Sequence, residues 1–514
     1  MGEQLRVAEV LGALSLATDL GSGVPFEKGL RTAVVASRLA VAAGVAPADR
    51  RAAYYAALLR SLGCTATSPE FSALFDDDVA VQRELKTIDF SDPAALARFG
   101  EWAGATRAAE LRARFAEVLP KAGPALGRQG CEVSASLGSE LGLPPGTVEA
   151  LAEVYERFDG LGFPDGRAGE ALTLAARIVH VAEQAVMADF AGGLGAAIGE
   201  VRRRAGTQLD PELCEVFARD ADAVTSGLDD DEVPALALAA EPAPGARVGA
   251  AGLERICHAF ATFTDLKGMF LLGHSQHVAQ LADAGAALLG LPPEDRAQLH
   301  LAALLHDIGR VGVPSAIWDR PGPLGAADWE RVRLHPYWTG RILRRCAALE
   351  GVEALAGAHH ERLDGSGYPR GSRARESPVA ERLLAAADTF AALTEDRPHR
   401  PARPAAQAAL ELEREVDAGR LDGACVSALL EAAGLPRVRS AWPCELTDRE
   451  VDVLRLVVRG LTNREIGAAL FLSARTVQHH LASVYDKIGQ RTRAGAAVFA
   501  IRHALVPAVP AELP

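Results

Sequence analysis

Two halves of this chain repeat one another, and an internal repeat constrains the fold more than any single motif, because both copies must close the same kind of core. The string GVAPADRRAAYYAALLRSLG at 44–63 parallels GLPPEDRAQLHLAALLHDIG at 290–309, and YERFDGLGFPDG at 155–166 parallels HERLDGSGYPRG at 360–371. The order is the same in both halves, and Arg177 in the first is matched by Arg382 in the second. These strings are rich in Ala and Leu, which lose little freedom in a helix. With 49% hydrophobic residues and only 5% aromatics, the chain favours packed helices over sheets. The expectation is an all-α protein of two tandem helical bundles followed by a small four-helix unit, with few or no strands. At roughly 150 residues per domain, a 514-residue chain has more than one core.

Breaks in periodicity place linkers at 226–250, where DDDE runs into Ala, Pro and Gly, and at 436–444, around Pro436 and Pro443. The expected domains are therefore 1–225, 251–435 and 445–507. Cys64, Cys131, Cys214, Cys257, Cys346, Cys425 and Cys444 are odd in number and form no CxxC pair, which fits reduced thiols. The start of the chain carries Glu3, Arg6 and Glu9 rather than a basic leader. No stretch reaches the roughly 20 apolar residues of a membrane span, so a cytoplasmic location is expected. A net charge of −13 argues against nucleic-acid binding by the whole chain. Residues 446–505 reverse that balance, with nine Lys or Arg against five Asp or Glu, a net of +4.

In the second half, polar residues interrupt apolar helices at His274, at the adjacent pair His306 and Asp307, at His335, at the adjacent pair His359 and His360, and at Asp388. Imidazole nitrogens with carboxylate oxygens and no thiolate suit iron, manganese or similar ions, and seven ligands are enough for two of them. A lone His on an apolar helix is usually a satisfied core residue. Seven such groups are hard to bury without a cation, because buried carboxylates need a charge partner. The first half keeps the scaffold without these groups: Arg60 and Ser61 stand where His306 and Asp307 stand, Val154 and Tyr155 replace His359 and His360, and Glu183 replaces Asp388.

GHS at 273–275, LLHDIGRVGVP at 304–314, HP at 335–336, HHERLDGSGYP at 359–369 and AADTF at 386–390 resemble the HD-GYP family of the HD phosphohydrolase superfamily. The resemblance implies a bundle with two divalent ions, iron or manganese, that hydrolyses cyclic di-GMP to pGpG or GMP. On that pattern His274, His306, Asp307, His335, His359, His360 and Asp388 are ligands, with Asp307 as the bridge. Asp307 and Arg310 are the catalytic positions, and Arg310, Arg397 and Arg400 contact the substrate phosphates. Two ions suit phosphodiester cleavage, because they generate a nucleophile at neutral pH and draw charge off a phosphoryl oxygen.

Three departures bear on turnover. Arg310 replaces the family's Lys, Phe270 takes the place of a third-metal Glu, and Ala391 stands where an Asp is usual. They leave open a weakly active or inactive cyclic-dinucleotide sensor. The HD centre alone also leaves open hydrolysis of another nucleotide.

From Leu446 the pattern changes to about four short helices. Thr447 with Glu450 and Thr462 with Glu465 form capping boxes, and Ser473 caps a third helix. Val477, Leu481, Val484 and Ile488 share one face of that helix, leaving Arg475, Gln478 and His479 outward. The segment resembles the LuxR-type DNA-binding domain across nearly all its length. That resemblance implies DNA contact by Thr476, Val477, Gln478, His479, His480, Lys487 and Arg493, with Gln478 and His479 at base edges and Lys487 and Arg493 on phosphates. It also implies a homodimeric transcription regulator, since paired half-sites need two copies, with packing or dimerisation left to the first half.

Overall fold

The computed structural model describes residues 4–89, 92–106, 109–228, 232–373, 377–435, 443–470, 472–503 and 505. The chain is all-α. Among the described residues the regular sheet is confined to two antiparallel two-residue strands, Leu5–Arg6 and Arg247–Val248. The chain divides into two compact units, Met1–Pro436 and Arg437–Pro514.

Within the first unit the two bundles bury one continuous core. It runs from Val10 and Leu11 through Phe217 to Phe260, Leu304 and Leu383, all of which are excluded from solvent. The helix Val7–Gly21 fastens the bundles together: Leu20 fills the space that a side chain at Gly312 would need, and Gly21 abuts Val311. A second clasp is ionic. Buried Lys267 meets buried Asp78 at 2.5 Å, and the other Asp78 oxygen accepts the Ser315 backbone N–H at 2.8 Å.

Within the segment 226–250, expected as a linker, the described residues from 232 onward are packed structure. They include the helix Val233–Ala239, whose Val233 and Ala237 are buried. Tyr54 donates to the Ala237 carbonyl at 2.9 Å, and Tyr55 donates to the Glu241 carboxylate, which also pairs with Arg6. A short apolar stretch flanked by Pro and Asp reads as a loop in sequence, and the tyrosines that anchor it lie far away along the chain. The expected linker at 436–444 falls mostly on residues outside those described.

The repeat is structural as well as sequential. Glu156 accepts the backbone N–H groups of Asp165 and Arg167 at 2.7 and 3.1 Å, and Glu361 accepts those of Arg370 and Ser372 at 2.8 and 2.9 Å. Arg177 pairs with Asp210 at 2.8 Å, and Arg382 pairs with Asp422 at 2.5 Å. Asp19 accepts the Gly29 N–H and Asp265 the Ser275 N–H at matching helix starts.

Candidate metal centre and nucleic-acid interface

Most of the expected ligands sit at helix ends, where side chains from several directions can converge. His274 and His335 open the helices His274–Leu288 and His335–Leu343, His306 follows the helix Pro293–Leu305, and His359 and His360 follow Val352–Ala356. Asp388 comes from the middle of the helix Val379–Thr394. Close packing holds the His306–Asp307 turn in place. A Cβ on Gly309 would lie 2.1 Å from the His335 carbonyl, so only glycine lets these two elements approach. Thr339 completes the join, donating to the His306 carbonyl at 2.8 Å and accepting from Gly309 N–H at 3.0 Å.

All seven residues meet at one place. Asp307 lies between two groups of imidazoles: its Oδ2 is 3.2 Å from His306 Nε2 and 3.7 Å from His274 Nε2, and its Oδ1 is 3.3 Å from His335 Nε2 and 3.5 Å from His359 Nε2. Asp388 approaches His274 Nε2 at 3.2 Å through Oδ1 and His360 Nδ1 at 3.7 Å through Oδ2. His274, His306 and Asp388 thus form one donor set and His335, His359 and His360 another. The Nδ1 atoms of His306, His335 and His359 each lie 2.6 to 2.7 Å from the carbonyl three residues back, at Ala303, Val332 and Ala356. Such bonds fix the tautomer that turns the Nε2 lone pair inward.

Several of these buried atoms lack the partners that burial normally demands. His274 Nε2, His306 Nε2 and both Asp307 oxygens have no well-aligned hydrogen bond from the protein. Burial drives His335 down to about 4 and outweighs Asp307. Asp307 itself, which burial alone would push up, is held well below the usual carboxylate range by Arg310 and His306. His274 goes the other way: burial lowers it, but Asp388 and Glu395 raise it to about 9. Inward-turned imidazole nitrogens, ionised carboxylates and unpartnered lone pairs on a common centre fit divalent metal ions, which would take the place of the proton that Asp388 and Glu395 favour on His274.

Three arginines were expected near this centre, and they differ. Arg310 lies against it, with Nη1 2.9 Å from Asp307 Oδ2 and its guanidinium 4.5 Å above the Trp318 ring. Arg397 is held by Glu395 at 2.9 Å. Arg400 donates to the carbonyls of Ala392, Leu393, Glu395 and Pro401. It therefore caps the C-terminal end of the Asp388 helix, a role set by the orphan carbonyls there.

In the C-terminal unit, both capping boxes form. Thr447 N–H donates to Glu450 at 2.7 Å and Thr462 N–H donates to Glu465 at 2.7 Å, each with the reciprocal bond. Ser473 caps the helix Ala474–Ile488 through Thr476 N–H at 3.0 Å. Gln478 and His479 are exposed on it, beside exposed Thr476 and half-buried His480. Val477 is a correction to the expected contact set, because it is fully buried in the core of the unit with Val453 and Ile466. Lys487 meets Glu450 at 2.8 Å, while Arg493 donates to Asn463 and to the Leu461 carbonyl, so both also brace the helices. Burial alone would raise Glu450, but Lys487, Ser483 and Thr447 hold it at about 2.

Residues 261–425 match the HD domain family, and residues 445–500 match the luxR family of bacterial regulatory proteins. The 3′3′-cGAMP-specific phosphodiesterase 3 of Vibrio cholerae serotype O1 is 30% identical over 437 residues, which is 84% of this chain and 95% of that one. The chain belongs to the HD-GYP phosphodiesterase family. A match of that length extends well beyond the HD domain into the first bundle. A crystal structure of a cyclic GMP-AMP specific phosphodiesterase from V. cholerae superposes with a TM-score of 0.59 at 26% identity, covering 84% of this chain and 99% of that one. Cyclic di-GMP phosphodiesterase of Thermotoga maritima is 37% identical over 142 residues, 27% of this chain and 39% of its own. Among the described residues no helix is long and apolar enough to cross a membrane.

Around the HD-GYP centre Glu395 escaped the sequence reading, whereas Tyr368 belongs to the GYP turn on which the resemblance already rested. Glu395 accepts from His274 Nδ1 at 2.8 Å and from His277 Nδ1 at 2.9 Å, and Tyr368 of the GYP turn covers His360 with ring centroids 4.7 Å apart. Glu395 follows the Asp388 helix in a polar stretch where nothing local separates it from a solvated acid. The His277 position one turn after His274 was the available signal.

Proposed function

We propose that the second bundle hydrolyses a 3′,3′-cyclic dinucleotide at a centre of two divalent ions, iron or manganese, and that the C-terminal luxR-family unit binds DNA and makes the chain a transcription regulator. The observation that carries the first part is the position of Asp307, with one oxygen toward His274 and His306 and the other toward His335 and His359. His274, His306 and Asp388 would hold one ion, His335, His359 and His360 the other, and Asp307 both.

Ions bound there supply the Lewis acidity that activates a water and offsets charge on the phosphoryl group. The chain's own residues do the rest. Glu395 and the three backbone carbonyls orient the imidazoles, Arg310 and Arg397 give an anionic phosphodiester a positive wall, and Tyr368 bounds the cleft over His360. In the DNA-binding unit, exposed Gln478 and His479 are the base-edge readers, with Thr476, His480, Lys487 and Arg493 toward the backbone. Two copies reading paired half-sites make the working regulator a homodimer.

Cyclic di-GMP is the substrate implied by the motif. 3′3′-cGAMP is the second reading, favoured by the relative that matches over 437 residues. Purified protein with Mn²⁺ or Fe²⁺ is incubated with each dinucleotide and the products are chromatographed beside the Asp307→Ala variant. Linear product from the parent protein alone supports hydrolysis, and the faster substrate settles the choice. Binding without product from either one overturns catalysis. For the second unit, a gel shift on promoter fragments should be lost on changing Gln478 and His479 to Ala.

A further inference from the structure

The first bundle keeps fixed charge where the second would hold metal ions. By the repeat, Lys28 occupies the place of His274, Arg60 that of His306 and Glu183 that of Asp388. Lys28 Nζ lies 2.5 Å from Glu183, Arg60 pairs with its other oxygen, and Lys86 Nζ lies 3.9 Å away while donating to Ser61 at 2.8 Å. Three cations therefore surround one carboxylate in a buried place. The nearby acid Asp19 offsets them only in part, since burial lifts it to about 7, and the same burial works against the charge on Lys86. An anion would complete the balance.

Beside this cluster is a cavity of about 330 Å³, with Arg60, Lys86 and Glu183 at one end and Phe71, Ile88 and Phe163 among its apolar walls. Small-molecule pockets run from roughly 300 to 1,000 Å³, so this one suits a mononucleotide and is tight for a cyclic dinucleotide. We propose that the cavity is a regulatory site for a nucleoside monophosphate, its phosphate against Lys86 and Arg60 and its base between the apolar walls. One helix gives the site a route to the second bundle. Asp78–Thr87 lines the cavity through Gln82, Leu85 and Lys86, and its first residue, Asp78, holds Lys267 and the Ser315 N–H of the second bundle. A ligand that orders this helix biases the elements on either side of His274 and Arg310. The regulatory part rests on the hydrolytic reading above, whereas the binding part does not.

The test is calorimetric titration of full-length Asp307→Asn protein, stripped of metal with a chelator, with GMP and with AMP. Turnover is thereby removed, so a negative result bears on this site and not on the hydrolytic centre. One saturable site per chain is expected. Lys86→Gln should weaken it at least about tenfold, the loss of a charge-assisted contact. Gly123→Leu should abolish binding with no fall in melting temperature, because a Cβ there meets nothing closer than Phe163 at 4.0 Å and a longer side chain projects into the cavity. Absence of saturable binding of either nucleotide overturns the proposal. So does binding that survives both substitutions but disappears with His359→Ala, which would assign the ligand to the second bundle. With the site established, GMP should change dinucleotide hydrolysis by the parent protein and leave the Gly123→Leu rate unaltered; equal effects on both overturn the regulatory role.

Discussion

The two bundles of the HD-GYP unit share a frame and differ in how they neutralise its centre. In the second, imidazoles and carboxylates converge with lone pairs unpartnered; in the first, Lys28, Arg60 and Lys86 close directly on Glu183. The difference extends outward. Where His277 meets Glu395 in the second bundle, the matching places in the first hold Arg31 over the Phe190 ring at 5.1 Å. One copy of the scaffold thus fits mobile, exchangeable cations, and the other carries its cations covalently. Covalent charge cannot activate a water but can still attract an anion.

The largest effect should separate the two copies by activity. Asp307→Ala is expected to reduce dinucleotide hydrolysis by on the order of 10³-fold, the scale of removing preorganised charge at a reacting phosphate. Ser61→Ala, at the matching place, should leave the rate within about twofold, and a comparable loss from both in steady-state assays would break the contrast. Next, Glu183→Gln leaves three buried cations without a counter-ion and should cost about 3–5 kcal/mol in denaturant unfolding, whereas Asp388→Asn should show chiefly as lost metal content. Burial alone would raise Glu183, but Arg60, Lys28 and Lys86 hold it below the carboxylate range. Its contribution is therefore complete above the unfolded pKa of about 4.3 and falls away as the pH drops below it.

Smaller effects probe the shared frame. Glu156→Gln and Glu361→Gln each weaken a two-bond clamp on the following turn and should cost similar amounts, about 1.5–3 kcal/mol. Unequal costs in paired melting curves would show that the frames have diverged. Glu395→Gln should weaken metal binding by about 10–100-fold, as outer-shell partners of ligating histidines do. Competition against a chelating indicator measures this, and Phe190→Ala should leave the same measurement unmoved.

Much of this was legible before any fold was described. The Ala- and Leu-rich repeats specify helices, the paired strings specify duplication, and His306-Asp307 and His359-His360 mark the centre because adjacent ligands on one turn are a local pattern. The capping boxes of the C-terminal unit were readable for the same reason: a hydroxyl and a carboxylate three residues apart meet within a single turn. Tertiary structure decided the questions of partnership between distant segments. Only packing turned residues 233–239 into a helix under Tyr54, buried Val477, drew Arg400 onto helix-end carbonyls and brought Glu395 to His274. The sequence carries which groups a chain has and how they recur along it. Which of them touch, and which are left for a ligand, depends on contacts between segments hundreds of residues apart.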